Sequence, residues 1–156
     1  MPNQQGVTAA EPELPAGVRA ILAHTGKPRS FLREQPIQNV VRNGVPGYEL
    51  SVNLTSYRAL PLSCIEGLLL KVDGEDVDPS TVVLTLNGYS HKLAELASLS
   101  HVWWFILEPA TLFVPSQTPL APGNHRVDAT LITVEPYVTA GRFSFYHPDS
   151  RTLAVE

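Results

Sequence analysis

Cysteine is nearly absent: Cys64 is the only one in 156 residues, so no internal disulfide can form. That fits a reducing compartment, and a cytoplasmic location is expected. No apolar run approaches the ~20 residues needed to cross a bilayer, so a membrane role is not expected. Met1 to Ala10 is polar and holds no apolar signal core, so no secretion signal is expected. Lysines and arginines are few, 11 against 15 acidic residues, and they are scattered singly. Phosphate backbones require clustered cations, so nucleic acid is excluded as the expected partner. No glycine-rich phosphate cradle is present either. Gly44-Val45-Pro46-Gly47 reads as a turn, and its proline has no N–H to offer a phosphate.

Proline and hydrophobic residues, by contrast, are plentiful. Fourteen prolines argue against long helices, because each fixes φ and removes a backbone donor. Hydrophobic residues at 44% and charged residues at 17% describe a globular chain able to bury a core. Residues 1–35 read as an irregular N-terminal extension holding Pro2, Pro12 and Pro15, with one short helical turn expected over Gly17 to His24. Two readings stay open for it. It is a loose tail, or an arm that packs on a partner through Val18, Ile21, Leu22 and Phe31.

Residues 36–156 read as strands. Tyr48 to Leu54 alternates, with Tyr48, Leu50, Val52 and Leu54 on one face. Ile65 to Val72 does the same through Ile65, Leu68, Leu70 and Val72. Asn124 to Val134 repeats the pattern with Val127, Ala129, Leu131 and Thr133. Asn43-Gly44, Asp73-Gly74 and Asn87-Gly88 are hairpin dipeptides. Further strands are expected over Ile37 to Arg42, Thr81 to Leu86, Val102 to Ile106, Thr111 to Val114, Arg142 to Tyr146 and Thr152 to Val155. Lys92 to Ser98 is the one helix-like piece after the extension. The pattern predicts an all-β domain of about eight or more short antiparallel strands, a sandwich or a barrel, with no βαβ rhythm.

Catalytic and metal-binding readings of individual residues are weak. Asp73, Glu75, Asp76 and Asp78 fail the calcium-loop pattern, since Val77 and Asp78 occupy its fifth and sixth places. The cluster reads as a solvated turn. The five histidines have no close metal-ligand spacing, although His91 and His101 fall where a hairpin would let them meet. Cys64 lacks a recognisable base and reads as a small hydrophobe. No catalytic and no metal residue is assigned to this chain.

Two segments point to a contact surface. In Trp103-Trp104, adjacent strand residues face opposite ways, so one indole must leave the core. An outward tryptophan marks a binding surface, or else a loop or the N-terminal arm covers it. Thr55 to Leu62 carries Tyr57, Arg58, Leu60, Pro61 and Leu62 in a proline-broken stretch suited to a protein contact or pocket rim. Alternatively, Tyr57 and Arg58 cap the sheet's own edge.

The run Tyr57 to Glu66 (YRALPLSCIE), followed by Leu68 to Glu75 (LLLKVDGE), resembles the small β subunit of bacterial C-glycoside deglycosidases. That family reads YRGLPLSCIE before a VDGE turn, so Ala59 replaces a glycine. Asn87-Gly88, Leu93 to Leu96, Trp104-Phe105, Glu108 to Leu112 and Leu120 to Gly123 extend the likeness across about residues 36–146. The resemblance implies a β-sandwich subunit without chemistry of its own, paired with a TIM-barrel, isomerase-like α subunit. That partner would hold a divalent metal, manganese as a rule, and a histidine base. The substrate would be a 3-oxo-C-glycoside, cleaved at its C–C glycosidic bond by elimination with the metal steadying the enolate. Tyr57, Arg58, Leu60, Pro61, Leu62, Trp103 and Trp104 would then form the partner interface or active-site rim. Two alternatives remain: a stand-alone carbohydrate-binding sandwich, and an independent enzyme using Cys64 or a histidine pair.

Overall fold

The computed structural model describes residues 30–56, 58–135 and 143–156. The helical turn expected at Gly17 to His24 and the side chain of Tyr57 lie outside them. Eleven strands are described. They are β1 (Gln38–Arg42), β2 (Val45–Val52), β3 (Leu60–Pro61), β4 (Ile65–Val72), β5 (Glu75–Asp76) and β6 (Val83–Leu86). The others are β7 (Tyr89–Lys92), β8 (Trp103–Trp104), β9 (Ala110–Pro115), β10 (Gly123–Val134) and β11 (Ser144–Val155). A five-stranded sheet runs β1-β2-β9-β6-β7, and a four-stranded sheet runs β11-β10-β4-β5. β3 and β8 form a separate two-stranded ribbon. Every pairing between these strands is antiparallel, as the alternating pattern predicts.

The three hairpin dipeptides adopt the backbone they were expected to. Asn43, Asp73 and Asn87 have φ of 50°, 52° and 53°, and the glycine after each is also in the left-handed region. Two successive positive φ values give the turn twist that closes a tight antiparallel hairpin. Alternation then sends one face of each strand inward. Leu50, Val52, Leu84 and Leu112 from the first sheet meet Leu68, Leu70, Val127, Ala129 and Leu131 from the second in one continuous core. Phe31 and Leu32 belong to that core too. Leu32 bridges Val52, and Ile37 bridges Val155, so the segment before β1 passes from one sheet to the other.

Two local expectations are corrected, and a third, the short helix-like piece, is borne out and refined. Arg142 to Tyr146 and Thr152 to Val155 are expected as separate strands from the sequence. Instead β11 continues through Pro148, opposite Thr130 of β10. β11 is a sheet edge, where a missing N–H costs no ladder bond. The strand expected over Val102 to Ile106 shrinks to β8, because the chain reverses between Phe105 and Glu108. The helix-like piece is a 3₁₀ segment, Leu93–Ser98, whose start is held by Glu95 accepting from the Lys92 N–H at 2.7 Å.

Candidate functional site

The ribbon brings together the two segments singled out from the sequence. Leu60 pairs with Trp104 and Pro61 with Trp103. Two further bonds extend the contact, Leu62 N–H to Val102 O at 2.8 Å and Ser63 N–H to Leu99 O at 3.2 Å. The doublet splits as alternation requires: Trp104 is 1% exposed and Trp103 is 41% exposed. Trp104 satisfies its buried indole by donating from Nε1 to Glu108 O at 2.7 Å. Leu60 and Leu62 are also buried in the chain's own core. Arg58, half-buried Pro61 and Trp103 are therefore the described members of the group that present surface.

Beneath this edge lies a polar cluster that the sequence reading missed. Ser56 Oγ donates to Glu135 Oε1 at 2.8 Å and accepts the Arg58 N–H at 3.3 Å. Thr133 Oγ1 donates to Glu135 Oε2 at 3.2 Å and lies 3.0 Å from His147 Nε2. One hydroxyl hydrogen serves one acceptor, so with Thr133 donating to Glu135 the hydrogen of this contact sits on His147 Nε2. Glu135 is 3% exposed, and Ser56 and Thr133 are buried with it. Burial raises the Glu135 carboxyl above the ordinary range, against the pull of its two hydroxyl donors. Burial also pushes His147 down to about 4, so its imidazole is neutral at neutral pH.

A signal for this cluster was available. The inward positions of β10 run Val127, Ala129, Leu131 and Thr133, and one more step of two reaches Glu135. His147, facing Leu131 across the β10–β11 ladder, completes it. The cluster ties the end of β10 to the turn that carries Arg58. Glu135 is too buried to meet a substrate directly, so its capability is to hold that turn.

A second polar clamp joins the proline-rich loop to the Asp73-Gly74 hairpin. His125 bonds Asp73 Oδ2 through Nδ1 and Ala121 O through Nε2, each at 2.6 Å. Asp73 also accepts the Arg126 N–H at 2.9 Å. The acceptor on each ring nitrogen raises the His125 pKa, Ala121 O contributing most. Asp73 is thus a turn anchor, and Asp78 caps the 3₁₀ turn at Pro79–Thr81 by accepting the Ser80 N–H. His91 lies on β7 facing Leu84, while His101 sits in the turn before β8. Cys64 is partly buried against the core. Among the described residues, no three His, Cys, Asp or Glu side chains converge as metal ligands would. No helix among them is long and apolar enough to cross a membrane. A groove of about 500 Å³ on the outer face of the four-stranded sheet is lined by Leu69, Lys71, Asp128, Thr130 and Pro148, none of them a predicted site residue.

Comparison with known proteins matches residues 28–137 to the family described as C-glycoside deglycosidase beta subunit. A 3'-dehydrocarminate deglycosidase beta subunit from a Microbacterium species is 37% identical over 112 residues, covering 70% of this chain and 84% of the relative. A C-glycoside deglycosidase beta subunit from Arthrobacter globiformis is 33% identical over 120 residues, 74% of this chain and 88% of that one. Another, from Microbacterium trichothecenolyticum, is 30% identical over 114 residues, 73% and 86%.

Proposed function

Because the chain belongs to the C-glycoside deglycosidase beta subunit family, we propose that it is the accessory β subunit of a heteromeric enzyme whose chemistry sits on its partner. The observation that carries this reading is the family match across residues 28–137. The polar groups described above are consistent with it. Each is spent on holding turns, and none forms an exposed pair of base and nucleophile.

The partner is a TIM-barrel, isomerase-like α subunit, and the substrate of the complex is a 3-oxo-C-glycoside. The sugar ketone acidifies the neighbouring C2 proton. A base on the partner takes that proton, a C1=C2 double bond forms in the sugar, and the aglycone leaves C1 with the electrons of the C–C glycosidic bond and is protonated at the carbon released. The described residues of this chain do not fit a divalent metal site. The manganese-type ion that the family resemblance implies is assigned to the partner as part of this proposal, and no step is routed through this chain. The contribution of the β subunit is positional. Its Arg58–Pro61–Trp103 edge packs on the partner and fixes loops around the reacting sugar, where small displacements carry large rate penalties. A cytoplasmic complex is part of the reading, and the single cysteine supports it.

Co-expression tests it. A tagged copy of this chain should retain an isomerase-like α subunit through purification and size-exclusion chromatography. A chain that elutes alone and monomeric beside a soluble α subunit contradicts the proposal.

A further inference from the structure

Eight large hydrophobic side chains are strongly exposed among the described residues, and four of them fall within five positions: Trp103, Phe105, Ile106 and Leu107. Their exposures are 41%, 53%, 37% and 72%. Together they offer on the order of 400 Å² of apolar surface, within the range of the largest and often functional patch on a soluble monomer. The other four are Val41, Val45, Leu69 and Tyr89. Val41 and Val45 flank one hairpin turn, and the other two stand apart on β4 and β7.

The backbone under this knuckle is held by the chain itself. Glu108 closes the reversal at both ends: its N–H donates to Phe105 O at 3.0 Å and its Oε1 accepts the Phe105 N–H at 3.3 Å. Its carbonyl takes the Trp104 indole N–H. Buried Trp104 therefore acts as a rivet that pushes Phe105, Ile106 and Leu107 outward. A preformed apolar turn loses little entropy when it docks, which is the property of a binding anchor. From Val102 to Leu107 the chain has no charge, while His101 and Glu108 flank it. That is an apolar centre with a polar rim.

We propose that the Trp103–Leu107 knuckle is the anchor of the β subunit, seated in an apolar pocket of the catalytic α subunit. This rests on the accessory-subunit reading and deepens it by naming the surface. The occupant is the α subunit for two reasons. The family to which the chain belongs is defined by its place in a heteromer. The knuckle is also continuous with the Arg58–Pro61 edge through the Pro61–Trp103 pair.

The test uses the full chain and the full α subunit. Phe105→Asp and Leu107→Asp are compared with Val41→Asp, which places the same charge at an exposed valine in the β1–β2 turn. Each variant's melting curve is recorded, and affinity for the α subunit is measured by interferometry. The two knuckle variants should lose about 30-fold or more in affinity with unchanged melting, and Val41→Asp should bind as wild type. Leu107 replaced by photo-reactive benzoyl-phenylalanine should crosslink to the α subunit, a readout that tolerates a poorly folding aspartate variant. Affinities within threefold of wild type and no crosslink overturn the proposal while leaving the accessory role intact. Self-association of the wild-type chain, lost in the knuckle variants at unchanged α affinity, assigns the knuckle to a second copy and overturns it. If the wild-type chains never associate, the accessory reading itself fails and the knuckle loses its occupant.

Discussion

Replacing Ser56 with alanine isolates the contribution of the buried cluster under the docking edge. The side chain makes two bonds, to Glu135 Oε1 at 2.8 Å and from the Arg58 N–H at 3.3 Å. The second is long and contributes little. The first matters because Glu135 is almost wholly buried, so losing it strands a carboxyl oxygen away from water. Leaving a buried polar group short of a partner costs about 1–3 kcal/mol. The missing hydroxyl leaves only a small void, so the cavity adds little. A loss of about 2 kcal/mol in a chain of this length lowers Tm by roughly 4–8 °C. Urea and thermal unfolding at neutral pH, followed by circular dichroism, measure it. Glu135→Gln keeps a carbonyl for Ser56 to donate to, and should lose less than Ser56→Ala. The 2.8 Å bond to Glu135 also ties the turn that carries Arg58 to the end of β10, so partner affinity should fall in Ser56→Ala at temperatures where the domain is fully folded. A Tm within 1 °C of wild type, with unchanged affinity, would refute the idea that this cluster holds the edge.

Two further predictions probe the scaffold. A Cβ at Gly47 would lie 2.3 Å from Val114 O and 2.7 Å from the Phe113 ring. Gly47→Ala should therefore destabilise by about 2 kcal/mol or more in urea melts, since backbone must move; a neutral effect would mean β2 and β9 yield freely. His147 is held near 4 in the folded chain against an ordinary 6.5. Between those values the unfolded chain binds the proton first, so stability is full above 6.5 and lost as pH falls toward 4, by roughly 3 kcal/mol. Glu135, raised by burial, acts in the opposite sense above its ordinary range. Wild type and His147→Gln should accordingly diverge in urea melts taken between pH 6.5 and 4, the variant losing less stability. Parallel curves would show that His147 protonates freely when folded.

What was legible in the sequence is what neighbours along the chain decide. The Asn-Gly and Asp-Gly dipeptides define their turns through two positive φ values that few other residue pairs accept. The inward faces of β2, β4 and β10 follow from strict alternation, and the splitting of Trp103 from Trp104 follows from the same period. Long-range facts were not legible. The pairing of Leu60 with Trp104 joins positions 44 residues apart that carry no local signature of each other. The passage of β11 through Pro148 depends on that strand lying at an edge, and sheet order was not inferred. The Glu135–His147 cluster was half visible, because alternation places Glu135 inward. Its hydroxyl partners at Ser56 and Thr133 come from different strands and loops. The exposed turn at Phe105 to Leu107 was hidden by its apolar composition, which reads as strand until Glu108 is seen to close it.

Reconstitution of activity tests the accessory role most directly. A fixed amount of α subunit would be titrated with this chain, and release of the aglycone from a 3-oxo-C-glycoside would be followed. The account predicts no cleavage by either chain alone, and a rate that climbs with added chain and levels off at a fixed stoichiometry. Full activity of the α subunit by itself, or cleavage by this chain alone, would contradict it.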